Sequence, residues 1–265
     1  MGIRICSLSS GSSGNCIFVG NESSGLLVDC GISGKETLKN LHSIGVCSNT
    51  IKAIVVTHEH SDHIRGVGII SRKLRIPIYA NTNTWNVMGA LIGTVKPENI
   101  KTFKVGEEFE IEGIGVKSYS IPHDAADPVG FSFYEGNNKV SIVTDLGYFS
   151  DTVKESISGS DMVLLESNHD IEMLMTGRYP FFLKRRILSE QGHLSNEAAG
   201  NAIYELLQTG VREVLLGHLS QENNFPELAY ETVKGILKQN KVNVDTDIKL
   251  DLAPRKGISR FYYID

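Results

Sequence analysis

The run VTHEHSDH, residues 56–63, holds four side chains able to bind a metal ion within six positions: His58, His60, Asp62 and His63. Imidazole nitrogen suits zinc or manganese, and a carboxylate adds a hard oxygen donor. The spacing H-x-H-x-D-H follows the apolar run IKAIVV, which predicts a strand whose end turns several side chains toward one centre. Four ligands so close in sequence cannot all close one tetrahedral site without strain. Two ions sharing further ligands from elsewhere is the more natural arrangement. The bland reading is a polar strand-end loop whose histidines only hydrogen-bond. It is disfavoured because the chain has only 8 histidines, and three of them fall here.

The remaining ligands should also sit at strand ends. His123 in SIPHDAADPVGF follows a strand-like run, Asp145 in SIVTDLG ends one, and His218 in VLLGHLSQENN ends another. Singly, each reads as a capping or solvated residue; together they form one constellation. Asp29, at the end of GLLVD, is expected to orient the histidine loop rather than to bind an ion. His193 in EQGHLSNEAAG precedes a helix for which Ser195 is the natural cap, and that cap would fix the histidine's position. The segment GRYPFFLKRRIL interleaves Arg178, Lys184, Arg185 and Arg186 with Tyr179, Phe181 and Phe182. Cations for phosphates and rings for base stacking are what a nucleic-acid groove needs. The alternative is an amphipathic helix with its rings in the core and its charges in water. Asn168 and His169, after DMVLLES, either support the cleft or form a satisfied outer layer.

The elements that must hold these residues alternate in two halves. Strands are predicted at IRICSLS, CIFVG, GLLVDC and IKAIVVT, with a helix SGKETLKNLHSIG between a Ser33 cap and a Gly45 stop. The intervening SLSSGSSGNC has the composition of a flexible linker, but its place between two strands favours a tight turn. HIRGVGIISRKL has helical spacing. Strands follow at IPIYA, EEFEI, GVKSYSI, VGFSFYE and KVSIVTD. The second half reads as strand DMVLLES, helix SNEAAGNAIYELLQ, strand REVLLG, helix PELAYETVKGILK and a terminal strand pair. Two such halves suggest an α/β protein with two packed sheets and helices outside.

Composition is ordinary for a globular chain of 265 residues, with 41% hydrophobic and 22% charged residues. Its apolar runs are strand-sized, so no membrane association is expected. No signal peptide is visible in MGIRICSLSS, and four unpaired-looking cysteines point to a reducing, cytoplasmic setting. The net charge of −5 argues against binding nucleic acid by net charge, yet leaves room for one basic face.

The order H-x-H-x-D-H, then His123, Asp145 and His218, resembles that of the metallo-β-lactamase-fold hydrolases over essentially the whole chain. The resemblance implies an αββα sandwich, two mixed β-sheets flanked by helices, spanning residues 1–265 as a single domain. It implies two divalent ions, zinc or manganese. His58, His60 and His123 would hold one; Asp62, His63 and His218 the other; Asp145 would bridge them. A bridging aspartate is typical of dinuclear members, whose two ions suit phosphodiester displacement. The His193 segment is similar to one that lies beside the scissile phosphate in related RNA-processing nucleases. SSGSSGNC, PHDAADPVGF, LLESNHD, LKRRILSEQGHLSN and HLSQENN together resemble one bacterial subgroup, the YycJ/WalJ-like proteins, regarded as DNA exonucleases.

On that basis the expected partner is nucleic acid, DNA first, with Asn168, His169, Lys184, Arg185, Arg186 and Ser195 along its path. Hydroxide held between the ions and oriented by Asp62 would attack phosphorus, and His193 would protonate the leaving oxygen. Only 73 positions separate Asp145 from His218 and only 22 separate His123 from Asp145. That leaves no room for the large inserted cap or long arm of related RNA nucleases, so an open cleft is expected. A small-molecule phosphodiesterase or thioesterase is the alternative, since the same scaffold serves both. A metal-stabilised binding module is disfavoured because no ligand of the set is missing.

Overall fold

Alternation along the strands sorts the apolar side chains into three layers. In the strand Ile51–Val55, Ala53 and Val55 face one buried cluster while Ile54 faces another. In Met162–Glu166, Met162 and Leu164 join that same inner cluster while Val163 and Leu165 point the other way. Period-2 side-chain direction forces this division once both faces of a strand are buried. The computed structural model, which describes residues 2–265, accordingly places two sheets face to face with helices on both outer surfaces.

The first sheet contains β1 (Ile3–Ser9), β2 (Cys16–Gly20), β3 (Gly25–Val28), β4 (Ile51–Val55), β5 (Ile78–Asn81) and β6 (Ile100–Phe103). The second contains β7 (Glu108–Ile111), β8 (Ile114–Ser120), β9 (Val129–Glu135), β10 (Asn138–Val143), β11 (Met162–Glu166), β12 (Glu213–Gly217) and β13 (Lys249–Leu252). The last strand, β14 (Tyr262–Ile264), returns to the first sheet and pairs antiparallel with β1. Both sheets are mixed: β1 to β3 and β7 to β10 are antiparallel, while β3 to β6 and β10 to β13 are parallel. The helices are α1 (Gly34–Ser43), α2 (Ser61–Ile64), α3 (Val67–Leu74), α4 (Thr82–Met88), α5 (Asp151–Ile157), α6 (Ile171–Thr176), α7 (Phe181–Ile187), α8 (Asn196–Leu207) and α9 (Pro226–Gln239).

This is the αββα sandwich of the sequence reading. The Ser33 cap accepts from the Glu36 amide, and Gly45 follows α1 with φ 73°. The Gly/Ser stretch after β1 is an ordered turn: Gly14 bonds back to the Gly11 carbonyl and Ser9 Oγ donates to the Gly14 carbonyl. Three expectations need correction. The terminal strands are not a pair, because β13 extends the second sheet and β14 the first. The strand β6 went unread because three of its four residues are exposed, so it shows no alternation. The helical run 63–74 is two helices, α2 and α3, with Gly66 between them. No described helix is long and apolar enough to cross a membrane.

Candidate metal centre

Every expected ligand lies just past a strand end, on the same rim of the sandwich. His58, His60, Asp62 and His63 follow β4, His123 follows β8, Asp145 follows β10 and His218 follows β12. Three residues on this rim adopt the left-handed conformation that non-glycine residues rarely take: Asp29 (φ 58°), Asp145 (φ 60°) and His218 (φ 53°). That conformation breaks the strand abruptly and swings the side chain toward the shared centre. Such strain persists only where surrounding contacts over-determine it. For His218, part of that support is Ser10 Oγ, which accepts its backbone N–H at 2.9 Å.

Hydrogen bonds fix which nitrogen each histidine presents. Asp29 accepts from His63 Nδ1 at 2.7 Å and from the Thr57 hydroxyl at 2.8 Å. Because Thr57 donates to Asp29, it accepts from His58 Nδ1 at 2.9 Å. His123 Nδ1 donates to the Gly192 carbonyl at 3.0 Å. In all three imidazoles the Nδ1 proton is committed, which leaves the Nε2 lone pair facing the centre. Asp29 therefore stands where an orienting residue is expected, one hydrogen bond behind His63 and, through Thr57, two behind His58.

The ligand atoms of His58, His60 and His123 fall within 4.8 Å of one another, as do those of Asp62, His63 and His218. Asp145 lies between the two sets. Its Oδ2 is 3.1 Å from His63 Nε2 and 2.8 Å from His218 Nδ1, while its Oδ1 is 3.8 Å from His123 Nε2. The donor set fits divalent ions on a physical test. His58 Nε2, Asp145 Oδ2 and His218 Nδ1 are buried without an aligned hydrogen-bond partner, a costly state for a native polar atom. His60 Nδ1 also lies 3.3 Å from the unprotonated His123 Nε2, a spacing that two ligands of one ion can share. Burial, followed by the neighbouring His63, holds His58 well below the usual histidine range, as a ligand requires. Burial would raise the Asp145 carboxyl, but His218 and His63 outweigh it and keep the group ionised.

His193 lies beside this centre, and the structure adds a partner that sequence reasoning missed. Glu166, fully buried at the end of β11, accepts from His193 Nδ1 at 2.9 Å. Its other oxygen accepts the Leu146 and Leu194 amides at 2.9 and 3.1 Å. Burial disfavours the imidazolium, yet Glu166 and Asp145 prevail and push His193 up to about 9. Asp145, Glu166, His193 and His218 also form a ligand-like group. Both Glu166 oxygens are already engaged by three donors, however, so an ion there would break the histidine's support. The signal in sequence was a carboxylate closing the apolar run DMVLLE. Asn15, also missed, places its side-chain amide 3.0 Å from His63 Nε2.

The expected substrate contacts separate into different roles. A cavity of about 300 Å³ over the centre is walled by Ser12, His60, Asp62, Asp145, Arg186 and His193 among others. Arg186 reaches it, held by an ion pair with Asp124. Lys184 does not: its ammonium donates to the Met175 and Gly177 carbonyls at 2.7 and 2.8 Å and so closes the loop before α7. Arg185 is exposed and lines neither this cavity nor the smaller one beside it. Phe181 and Phe182 are 68% and 74% exposed, so the reading that buries these rings in the core fails. Ser195 caps α8, accepting from the Ala198 amide. Asn168 donates to the His218 carbonyl at 2.9 Å. His169 is buried with neither ring nitrogen paired, so it is not a satisfied outer histidine.

The family profile of the β-lactamase superfamily domain matches residues 25–219. The chain is 42% identical to the exodeoxyribonuclease YycJ of Bacillus anthracis, with both chains covered in full. It is 38% identical to the exodeoxyribonuclease WalJ of Streptococcus pneumoniae over 96% of each chain. The crystal structure of the metallo-β-lactamase-fold protein YhfI from Bacillus subtilis superposes with a TM-score of 0.72 at 16% identity. It covers 98% of this chain and 99% of its own. Fold, ligand order and full-length identity agree: the chain belongs to the β-lactamase superfamily, among the YycJ/WalJ-like metallo-β-lactamase-fold hydrolases.

Proposed function

We propose that this protein hydrolyses phosphodiester bonds of DNA at a centre for two divalent ions, acting from chain ends. The observation that carries the reading is the convergence of unpartnered buried ligand atoms beside a histidine held by a buried glutamate. The two relatives of full length named exodeoxyribonucleases support DNA as the substrate.

His58, His60 and His123 would hold one ion, Asp62, His63 and His218 the other, and Asp145 both. The mixed imidazole and carboxylate set suits zinc or manganese. When bound, the ions would supply Lewis acidity and lower the pKa of coordinated water from about 15.7 toward about 7. The chain's own residues do the rest. Asp62, 22% exposed at its side chain, faces the cavity and would orient the attacking water and accept its proton. Arg186, steadied by Asp124, would bind a phosphate oxygen. His193 would give a proton to the leaving oxygen, a contribution typically worth ~10²–10⁴-fold. Glu166 would hold that imidazole in the protonated form and the correct rotation.

The test is hydrolysis of end-labelled single- and double-stranded DNA and RNA by the protein loaded with a defined metal. Stepwise shortening of DNA is expected. Cleavage of bis-p-nitrophenyl phosphate without cleavage of any DNA would leave a small-molecule phosphodiesterase instead.

A further inference from the structure

A second cavity adjoins the metal cavity and shares three walls with it: Ser12, Arg186 and His193. Its volume is about 150 Å³, half that of the cavity over the metal centre. On one side stand Tyr179, Leu183 and Ile187, a ring and two aliphatic chains. On the other is Asn168, whose Nδ2 is taken by the His218 carbonyl while its Oδ1 makes no protein hydrogen bond. The lining thus joins a ring and two aliphatic chains to one free edge acceptor, the Ser12 and Ser220 side chains, and the Arg186–Asp124 pair. These are the features that accept a nucleobase: stacking surface, one edge acceptor and a cation for the attached phosphate.

We infer that this cavity receives the terminal nucleoside of the DNA, and that its base must leave its pair before cleavage. The inference rests on the nuclease reading above and extends it to the form of the substrate. His193 lies in the wall between the two cavities, so a phosphate held on the metal side has its leaving oxygen directed toward the second cavity. The group attached to that oxygen must occupy the smaller space. About 150 Å³ holds one base and excludes a stacked base pair. The wall is also firm. Ile187 is buried, Lys184 ties α7 to the preceding loop through two carbonyls, and Arg186 is pinned by Asp124. Recognition by a rigid pocket for one unpaired base makes the enzyme's rate depend on how readily the end frays. Mismatched or single-stranded ends meet the smallest unpairing cost.

The experiment uses the metal-loaded full chain and three sets of DNA: single strands, duplexes with mismatched ends, and blunt duplexes closed by several G·C pairs. Removal of the first nucleotide from the first two should exceed that from the third by ~10-fold or more. An abasic terminal residue should be released ~10-fold more slowly than a normal one, because the stacking wall has nothing to hold. Leu183→Trp, which fills the cavity, should erase the difference between abasic and normal ends; Leu183→Ala should preserve it. Melting curves and metal content establish that both variants are folded and loaded. Equal first-nucleotide rates on all three DNA sets, or an abasic penalty unchanged in Leu183→Trp, would overturn the pocket while leaving the nuclease reading intact. A protein that cleaves bis-p-nitrophenyl phosphate but no DNA would overturn both.

Discussion

Replacing Glu166 with Gln isolates the proton on His193. In the native protein Oε1 accepts from His193 Nδ1 at 2.9 Å, and Oε2 accepts the Leu146 and Leu194 amides. Glutamine keeps a carbonyl for those two amides, so its NH₂ must face the imidazole. Nδ1 then has to accept, and the doubly protonated ring loses both its charge partner and its acceptor. Against the ordinary 6.5, a His193 pKa of about 9 corresponds to about 3 kcal/mol of preference for the cation. Divalent ions nearby repel that cation, so the loaded enzyme should show its alkaline limb below 9. A loss of ~1–2 pKa units in the variant is the expected effect of removing the carboxylate. The sign follows: a general acid acts below its pKa, so the limb moves to lower pH in Glu166→Gln. The assay is kcat/KM on DNA across pH, expressed as the native-to-variant ratio, which cancels limbs common to both. The ratio should stay near unity at acid pH, where both histidines are protonated. It should climb as pH rises and level off at ~10–100-fold. A p-nitrophenyl diester, whose phenolate leaves without a proton, should show little of this. A ratio constant across pH would mean that Glu166 supports the fold alone, and the acid role of His193 would fall.

Asp145→Ala should drop metal content below two ions per chain, because a carboxylate between two cations offsets their repulsion; two tightly bound ions by metal analysis would remove it from the bridging position. His218→Ala should deplete chiefly one of the two ions. Charge reversal at Arg186 should weaken DNA binding and lower its salt slope by ~1, with Arg185→Glu, outside both cavities, having the smaller effect. Equal losses in the two variants would refute that division of roles. Burial lowers His169 from 6.5 to about 4, a difference of about 3 kcal/mol in proton affinity between unfolded and folded chains. A depressed pKa contributes stability above pH 6.5 that is lost as pH falls through about 4. Thermal melts should therefore show a weaker acid dependence in His169→Gln, and identical profiles would exclude this histidine as a source.

The candidate metal ligands were legible in sequence because they cluster at strand ends and their types admit few other uses. Fold class was legible because fully apolar strands alternate with amphipathic helices. Glu166 was not, since one carboxylate beside an apolar run looks the same whether it caps a strand or carries a proton. The split between Arg185 and Arg186 was hidden too. Adjacent helical residues project about 100° apart, and only the packing of α7 decides which one reaches the cleft. The terminal strands read as a pair because period-2 patterning reveals a strand but not its sheet. The exposed β6 carried no pattern at all.

The candidate ligands are divided between the two sheets. The four residues after β4 come from the first sheet, while His123, Asp145 and His218 come from the second. Ions held among them would rivet one half of the sandwich to the other, with the inner apolar layer as the gasket. Ion affinity then becomes a gauge of how truly the two halves are seated. Phe131 and Leu215, both fully buried in that layer, are not among the candidate ligands, yet their volume helps set the separation across which a shared ion would be held. Tolerance to change in the distant core would then be limited by chemistry at the rim, and a cavity opened between the sheets would loosen the ions before it unfolded the chain.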